Sequence, residues 1–470
     1  MTDFLLLDGS RLSCEEKPFA TGAKGDVWRS RDRRLAVKIY KGGTIRDPAA
    51  LRKSLQLIVE THNPLPSMTW SQREFWESQI AWPTAIVAKP TIGVVMPYTD
   101  LPYSLAHLLM PKWRERFLSP KAQGWWKGRL EICLSLSRAV RLCHQNGLCH
   151  SDLSDNNALV DPQSGRAVMI DVDGLAIEGR ISASVVGTRG YMAPELMTGR
   201  QRPGINSDKH ALAVIIYKTL LDRHPLHGVR RFPHAVDGDE EEQILYGRDP
   251  LFIEHPTDSR NRPRGRALSS RSVGPQLEFL FRRAFVEGLT RPEKRPLASE
   301  WETALSQTLD RMVPCTHTGC PAEWFVLNEA LSLLCPMCQQ RTTSHQNGPP
   351  FLVPYRSTPT SGAFRPEEAA SAQTLIVGAD QKPLFYWHLR SGSREDGLLD
   401  KKPLLTFHRQ HDHWLLSNNL GHPIEWYGSE ERHTVPSGQM LPLLHKAIVS
   451  IGPVPEYRLF EVRFPASGFS

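Results

Sequence analysis

Apolar residues recur along this chain in two rhythms, one at each end. Leu35-Ala-Val-Lys-Ile-Tyr40 and Ile92-Gly-Val-Val-Met-Pro-Tyr98 are short, β-prone runs near the start. Between them, residues 47–60 repeat their apolar positions with a helical period, behind Asp47 as N-cap and Pro48 in the first turn. Beyond residue 372 the runs are short and strand-like: Thr374–Val377, Leu384–Trp387, Leu404–Phe407, His413–Leu416, His433–Val435, Ala447–Ile451 and Leu459–Arg463. Gly, Asn, Pro or Ser separate several of them, and the pattern predicts a small all-β sandwich over 373–470. From Thr343 to Ala372, Ser, Thr, Pro, Gln and Gly replace apolar periodicity, and this stretch reads as a linker.

A chain of 470 residues with 40% hydrophobic content is long enough for two or three cores. No stretch holds eighteen uninterrupted apolar residues, and the acidic start Met1-Thr-Asp-Phe-Leu-Leu-Leu-Asp8 is too short for a signal peptide. A soluble, cytoplasmic protein with no membrane segment is expected. The net charge of +7 is small for this length and its cations form no stripe, so nucleic acid is not an expected partner.

Cys315-x₄-Cys320 and Cys335-x₂-Cys338 stand fourteen residues apart. Two close thiolate pairs are the tetrahedral set zinc favours, which predicts a structural zinc ribbon over 311–342. His317 is an alternative ligand that two Cys pairs make unnecessary. Cys14, Cys133, Cys143 and Cys149 are scattered, an asymmetry that favours metal over disulfides and a reducing compartment.

The candidate chemistry lies in His150-Ser-Asp-Leu-Ser-Asp-Asn-Asn157 and Met169-Ile-Asp-Val-Asp-Gly174. Asp152 can orient a hydroxyl nucleophile, while Asn157 and Asp171 can hold magnesium against nucleotide phosphates. Upstream, Ala20-Thr-Gly-Ala-Lys-Gly-Asp-Val27 is a glycine-rich loop with Gly22 and Gly25 free of side chains that would block phosphates. Lys38 follows Val27 by eleven residues and interrupts an apolar run.

These motifs, in this order, resemble the protein kinase superfamily, and H-x-D-L-S-x-x-N with I-D-x-D resembles a divergent bacterial branch of eukaryotic-like Ser/Thr kinases. Gly187-Thr-Arg-Gly-Tyr-Met-Ala-Pro-Glu195 resembles the end of the activation segment; Ser207–Val214 resembles the helix whose acid, here Asp208, caps the catalytic loop. The resemblance implies an α+β, bilobal kinase-like fold over 10–310, with an N-lobe at 10–96 and a C-lobe at 100–310. It implies ATP and Mg²⁺ as cofactors, Val27 and the gatekeeper Met96 beside the adenine, and the backbone of Pro97, Tyr98 and Thr99 at its edge. Lys38 would grip the α/β-phosphates, paired with Glu60 from the predicted helix, with Glu74 and Glu77 in reserve. Arg295 would pair with Glu195. The branch is one we associate with stress- and tellurite-linked operons, which implies a partner phosphatase and a von Willebrand-type protein beside protein substrates.

Departures from the pattern bear on mechanism. Ser151 replaces the Arg that receives an activation-loop phosphate, and Ser154 replaces the Lys that steadies the γ-phosphate. Asp173 stands where Gly is usual, as a second metal carboxylate or a solvent-facing acid. Thr188 falls where a Thr contacts the catalytic Asp, and Ser182 and Ser184 are the loop's other acceptors. Gly228–Arg271 reads as a solvated insert, or else a docking surface. Trp414-Leu-Leu-Ser-Asn418 with Val435-Pro-Ser-Gly-Gln439 faintly resembles a forkhead-associated domain that lacks its phosphate pocket. The expected activity is a Ser/Thr protein kinase; the alternatives are an ATP-binding pseudokinase scaffold and a small-molecule phosphotransferase.

Overall fold

The computed structural model describes residues 2–45, 47–110, 125–177, 187–264, 268–320, 323–327, 333–341, 349–357, 364–366, 376–389, 402–428, 431–452 and 459–464. It divides into two compact units. One draws on residues 1–117, 131–265 and 281–302, the other on 118–130, 266–280 and 303–470.

The first unit begins with a seven-stranded sheet. Its strands are β1 (Thr2–Leu6), β2 (Arg11–Cys14), β3 (Ala20–Thr21), β4 (Gly25–Arg29), β5 (Leu35–Tyr40), β6 (Ala85–Lys89) and β7 (Gly93–Pro97), in the order β2-β1-β6-β7-β5-β4-β3. β1 is an inner strand, so this lobe starts ahead of the expected boundary at residue 10; the strand pairs with β2 and β6. Alternation along β5 sets the site. Val37 and Ile39 join Phe4, Val87 and Val95 in one apolar cluster, while Ala36 and Tyr40 join Leu55, Val94 and Met96 in another. Lys38 shares the Ala36–Tyr40 face, since successive side chains point to opposite faces.

The helix Pro48–Gln56 is capped by Asp47, whose side chain accepts from the amides of Ala49 and Ala50. It ends in a wide turn, Leu57–Thr61, where Ile58 is buried and Glu60 is exposed.

The rest of the first unit is mainly helical. The helix Ile205–Leu221 is its axis: of 17 residues, 14 are buried, so it is packed on every side. Tyr217, Phe252, Phe281 and Phe285 meet edge to face or stacked around it. The described residues of the insert at 228–271 carry more structure than expected. Asp237 caps a short helix, Gly238–Gln243, and Phe252 and Ile253 are buried. Asn261, fully buried, donates to the carbonyls of Leu226 and Leu251 at 2.8 and 2.6 Å. The short apolar run Leu251-Phe-Ile253 within a charged stretch is the reason.

In the second unit, β8 (Met312–Pro314) and β9 (Trp324–Val326) form a hairpin beside the four cysteines. Beyond it lie two antiparallel sheets. One contains Phe351–Ser357, which pairs with Leu459–Arg463 inside the sheet, so the stretch read as linker contributes a strand. The other contains Leu405–Gln410 and His413–Asn418, paired along their whole length. One apolar cluster draws Leu352, Trp426, Val449 and Phe460 from the first sheet and Leu384, Phe407, Leu416 and Leu441 from the second. Tyr386–Leu389 is a helical turn where a strand was expected. Its His388 caps it locally, accepting from the Phe385 amide at 2.9 Å, while its other nitrogen meets Asp310 at 3.0 Å. No helix among the described residues is long and apolar enough to cross a membrane.

Candidate active site

Within the first unit a cleft of about 620 Å³ opens under the glycine-rich hairpin. Gly22, Lys24, Gly25, Val27, Lys38, Met96, Tyr98, Asp152, Asn157, Asp171 and Thr188 all line it. The sequence motifs, scattered over 166 positions between Gly22 and Thr188, therefore meet at one place.

The hairpin is β3–β4, closed by the Gly22 amide donating to the Gly25 carbonyl at 2.9 Å. Gly25 is required by close approach: a Cβ there would lie 2.5 Å from the Ile39 carbonyl oxygen. Val27 faces Lys38 in register across β4 and β5. Met96 is buried at the back of the cleft. At its mouth, the Tyr98 ring takes the Arg29 guanidinium over its face at 5.3 Å and the edge of Phe19 at 5.7 Å. The Tyr98 amide already donates to the Arg34 carbonyl at 2.8 Å, so Tyr98 contributes its ring to the cleft and not a hinge donor.

The catalytic-type loop is held from below. Asp208, on the buried helix, accepts from the His150 amide at 2.7 Å and the Ser151 amide at 3.1 Å, with His144 at 3.2 Å. Burial alone would raise this carboxyl. The His144 hydrogen bond, with the charges of His144 and His150, holds it below the usual range. Ser151 and Asp171 both adopt left-handed backbone, φ 63° and 62°, which costs of order 1–3 kcal/mol per residue and persists only in an over-determined surrounding. Asn157 Nδ2 donates to the Asp152 carbonyl at 2.7 Å, fixing the amide and leaving Oδ1 as its acceptor. Thr188 Oγ1 donates to Asp152 Oδ1 at 2.7 Å. His224 supports that segment by a 2.6 Å contact from Nε2 to the Gly190 carbonyl; burial pushes its imidazole down to about 3, so it donates as the neutral ring. Ser182 and Ser184 lie outside the described residues.

Lys38 departs from expectation. Its Nζ donates to both oxygens of Asp173, at 3.1 and 3.0 Å, and also to Asp171 Oδ1. Glu60 is exposed and takes no part in this pairing; Glu74 is exposed and Glu77 pairs with Arg73 at 2.9 Å. Asp173 is not solvent-facing: it is 5% exposed, and Tyr40 donates its hydroxyl to it. The strand alternation explains this, since Lys38 and Tyr40 project from one face of β5 onto one acid. Burial favours the neutral amine, but Asp173 and Asp171 outweigh it and raise Lys38 above its ordinary pKa. Burial and the Asp173 charge likewise keep the Tyr40 phenol protonated. Burial would raise Asp171 too, but Lys38, Lys24 and His150 hold it low. The anionic carboxylate is the form a metal requires.

Lys24 was not singled out by sequence reasoning. Its Nζ lies 3.7 Å from Asp152 Oδ2 and 3.8 Å from Asp171 Oδ2. A lysine inside a glycine-rich loop was the available signal.

Comparison with known proteins bears on the same segment. Residues 103–265 match the model of the protein kinase domain. The kinase-domain match takes in the catalytic-type loop, Asp171, Thr188 and the buried helix. Proteins named dual serine/threonine and tyrosine protein kinase are similar to this chain: that of Pimephales promelas is 35% identical over 104 residues, and those of Homo sapiens and Mus musculus are 34% identical over the same length. The similarity covers 22% of this chain and 11% of those proteins.

In the second unit, the Sγ atoms of Cys315, Cys320, Cys335 and Cys338 all lie within 4.8 Å of one another, and the pairs Cys315–Cys338 and Cys320–Cys335 stand at 3.7 Å. None of the four is in a disulfide.

Proposed function

We propose that this protein is an ATP-dependent protein kinase that transfers the γ-phosphate to hydroxyls of protein substrates. The observation that carries the reading is the convergence of Asp152, Asp171, Lys38 and the glycine-rich hairpin on one cleft. Asp152, with Thr188 on its other oxygen, orients the acceptor hydroxyl and receives its proton. Magnesium, when bound, would neutralise phosphate charge. Asp171, held anionic, and Oδ1 of Asn157 are the donors that fit it. The hairpin would hold the phosphates, with Lys38 on the neighbouring strand β5 able to reach them on leaving Asp171 or Asp173.

Ser/Thr acceptors are our reading from sequence; the relatives' names add Tyr, and phosphoamino-acid analysis of the product decides. The cytoplasm as location, and the partner phosphatase and von Willebrand-type protein, rest on sequence alone. The test is incubation with labelled ATP and Mg²⁺: wild type labels a generic protein substrate, and Asp152→Ala loses at least about 100-fold in rate. Equal, near-zero labelling by both would instead support the second reading, an ATP-binding scaffold. That reading is favoured by the grip of two acids on Lys38, which would otherwise face phosphate.

We also propose one structural zinc on Cys315, Cys320, Cys335 and Cys338. Zn–S bonds of about 2.3 Å in a tetrahedron place sulfurs roughly 3.8 Å apart, close to the observed 3.7 Å. The protein is expected to purify with one equivalent of zinc by elemental analysis. Cys335→Ser should lower metal content and solubility while nucleotide binding by the kinase-like unit persists. A Cys315–Cys320 or Cys335–Cys338 disulfide in fresh, metal-free protein would sink the site.

A further inference from the structure

We infer that Lys24, at the tip of the glycine-rich hairpin, is a catalytic residue that places its ammonium on the terminal phosphate of ATP during transfer. The inference rests on the phosphotransfer reading above. The loop that bears Asp152 continues Leu153-Ser-Asp-Asn-Asn157 and offers no positive side chain to the cleft. Lys38 is engaged by Asp171 and Asp173. A phosphoryl group in flight spreads negative charge over its equatorial oxygens, and a site that moves it needs cations placed there beforehand.

Lys24 is placed for this. Its backbone is tied down, the Lys24 carbonyl accepting from the Lys41 amide at 3.0 Å and the Gly22 carbonyl from Lys41 Nζ at 2.8 Å. Its side chain reaches across the cleft and stands between two carboxylates, 3.7 Å from Asp152 and 3.8 Å from Asp171. Those distances are looser than the 3.0 Å between Lys38 and Asp173, and the Lys24 side chain keeps 41% of its surface exposed. It is a cation held over the site between the two carboxylates. Asp152 marks the acceptor hydroxyl and Asp171 the metal-bound phosphates, so the line between them is the path of the phosphoryl group. In transfer the hydroxyl oxygen bonds to the γ-phosphorus and its proton passes to Asp152. The bond from the γ-phosphorus to the bridging oxygen breaks, and that electron pair leaves with ADP. Lys24 donates to the equatorial oxygens throughout and exchanges no proton.

The test compares wild type, Lys24→Met and Lys24→Arg in the full chain, by calorimetry with Mg²⁺ and either ADP or a non-hydrolysable ATP analogue, and by phosphotransfer kinetics. Lys24→Met should bind ADP within about twofold of wild type and the analogue about tenfold more weakly, the loss of one charge-assisted contact. Its kcat should fall about 100-fold with KM for ATP within about threefold, and Lys24→Arg should recover most of that. Unchanged analogue binding and kcat in Lys24→Met would overturn the proposal. An equal loss for ADP and the analogue would also overturn it, by showing that Lys24 only shapes the hairpin. A wild type that shows the Lys24-dependent preference for the analogue but transfers nothing would overturn the kinase reading and leave the phosphate contact standing.

Discussion

Asp171→Asn is expected, on the kinase reading, to lower kcat by about 1,000-fold, roughly 4 kcal/mol in barrier height, because the charge of this carboxylate, and not only its shape, would hold the proposed metal. The structure keeps that charge in place with Lys38 and Lys24. The neighbouring acid should respond differently. Asp173→Asn leaves Lys38 with Asp171 as its remaining acid and leaves the Tyr40 hydroxyl facing a neutral amide. Its effect should be about tenfold and fall mainly on KM for ATP, since the damage is to the orientation of Lys38, the lysine proposed to reach the phosphates. Kinetics on the two purified variants check this, with thermal melts confirming that both fold. If Asp173→Asn proves the more damaging in kcat, the assignments are exchanged: Asp173 holds the metal and Asp171 anchors the lysine.

That contrast shows where sequence was legible. Asp152 and Asn157, five residues apart in one loop, could be expected side by side, because a loop of fixed length leaves them little freedom. Lys38 was readable as a cation interrupting a strand. Its partner was not, because an ion pair between a strand and a distant loop depends on packing. The acid Glu60 sits on the exposed side of the Leu57–Thr61 turn that buries Ile58. The partner that took its place was visible as an oddity, a second acid in Ile170-Asp-Val-Asp-Gly174. The period-2 alternation of β5 then explains why Lys38 and Tyr40 reach the same carboxylate.

The β-rich C-terminal part was legible as strands and less so as boundaries. Phe351-Leu-Val-Pro-Tyr-Arg-Ser357 lies among Ser, Thr and Pro and contains a proline, which demotes a run in any strand count. Yet it pairs with Leu459–Arg463, a partner more than a hundred residues away that no local pattern reveals. The short cysteine spacings posed no such difficulty, since residues five apart (Cys315 and Cys320) or three apart (Cys335 and Cys338) are brought together by a single turn.

Arg295→Ala is expected to destabilise the kinase-like unit by about 3–5 kcal/mol, the cost of leaving a buried charge uncompensated. The Arg295 side chain has no exposed surface, and its two terminal nitrogens donate to the two Glu195 oxygens at 2.6 and 2.8 Å. It also donates to the carbonyls of Gly288 and Asn206 at 2.8 and 2.9 Å, so truncation orphans four acceptor oxygens at once. For a unit of this size that loss corresponds to a fall in melting temperature of about 10 °C, readable by calorimetry or urea titration. Glu195→Gln should cost less than Arg295→Ala, because the guanidinium keeps its carbonyl partners. Replacing both residues with Met should recover part of the Arg295→Ala loss, because a buried pair replaced whole leaves no lone charge. Activity should fall along with stability, since Glu195 ends the segment that carries Thr188 to Asp152. A melting shift below about 2 °C in Arg295→Ala would mean that water reaches Glu195 in solution and that the pair does not hold this segment.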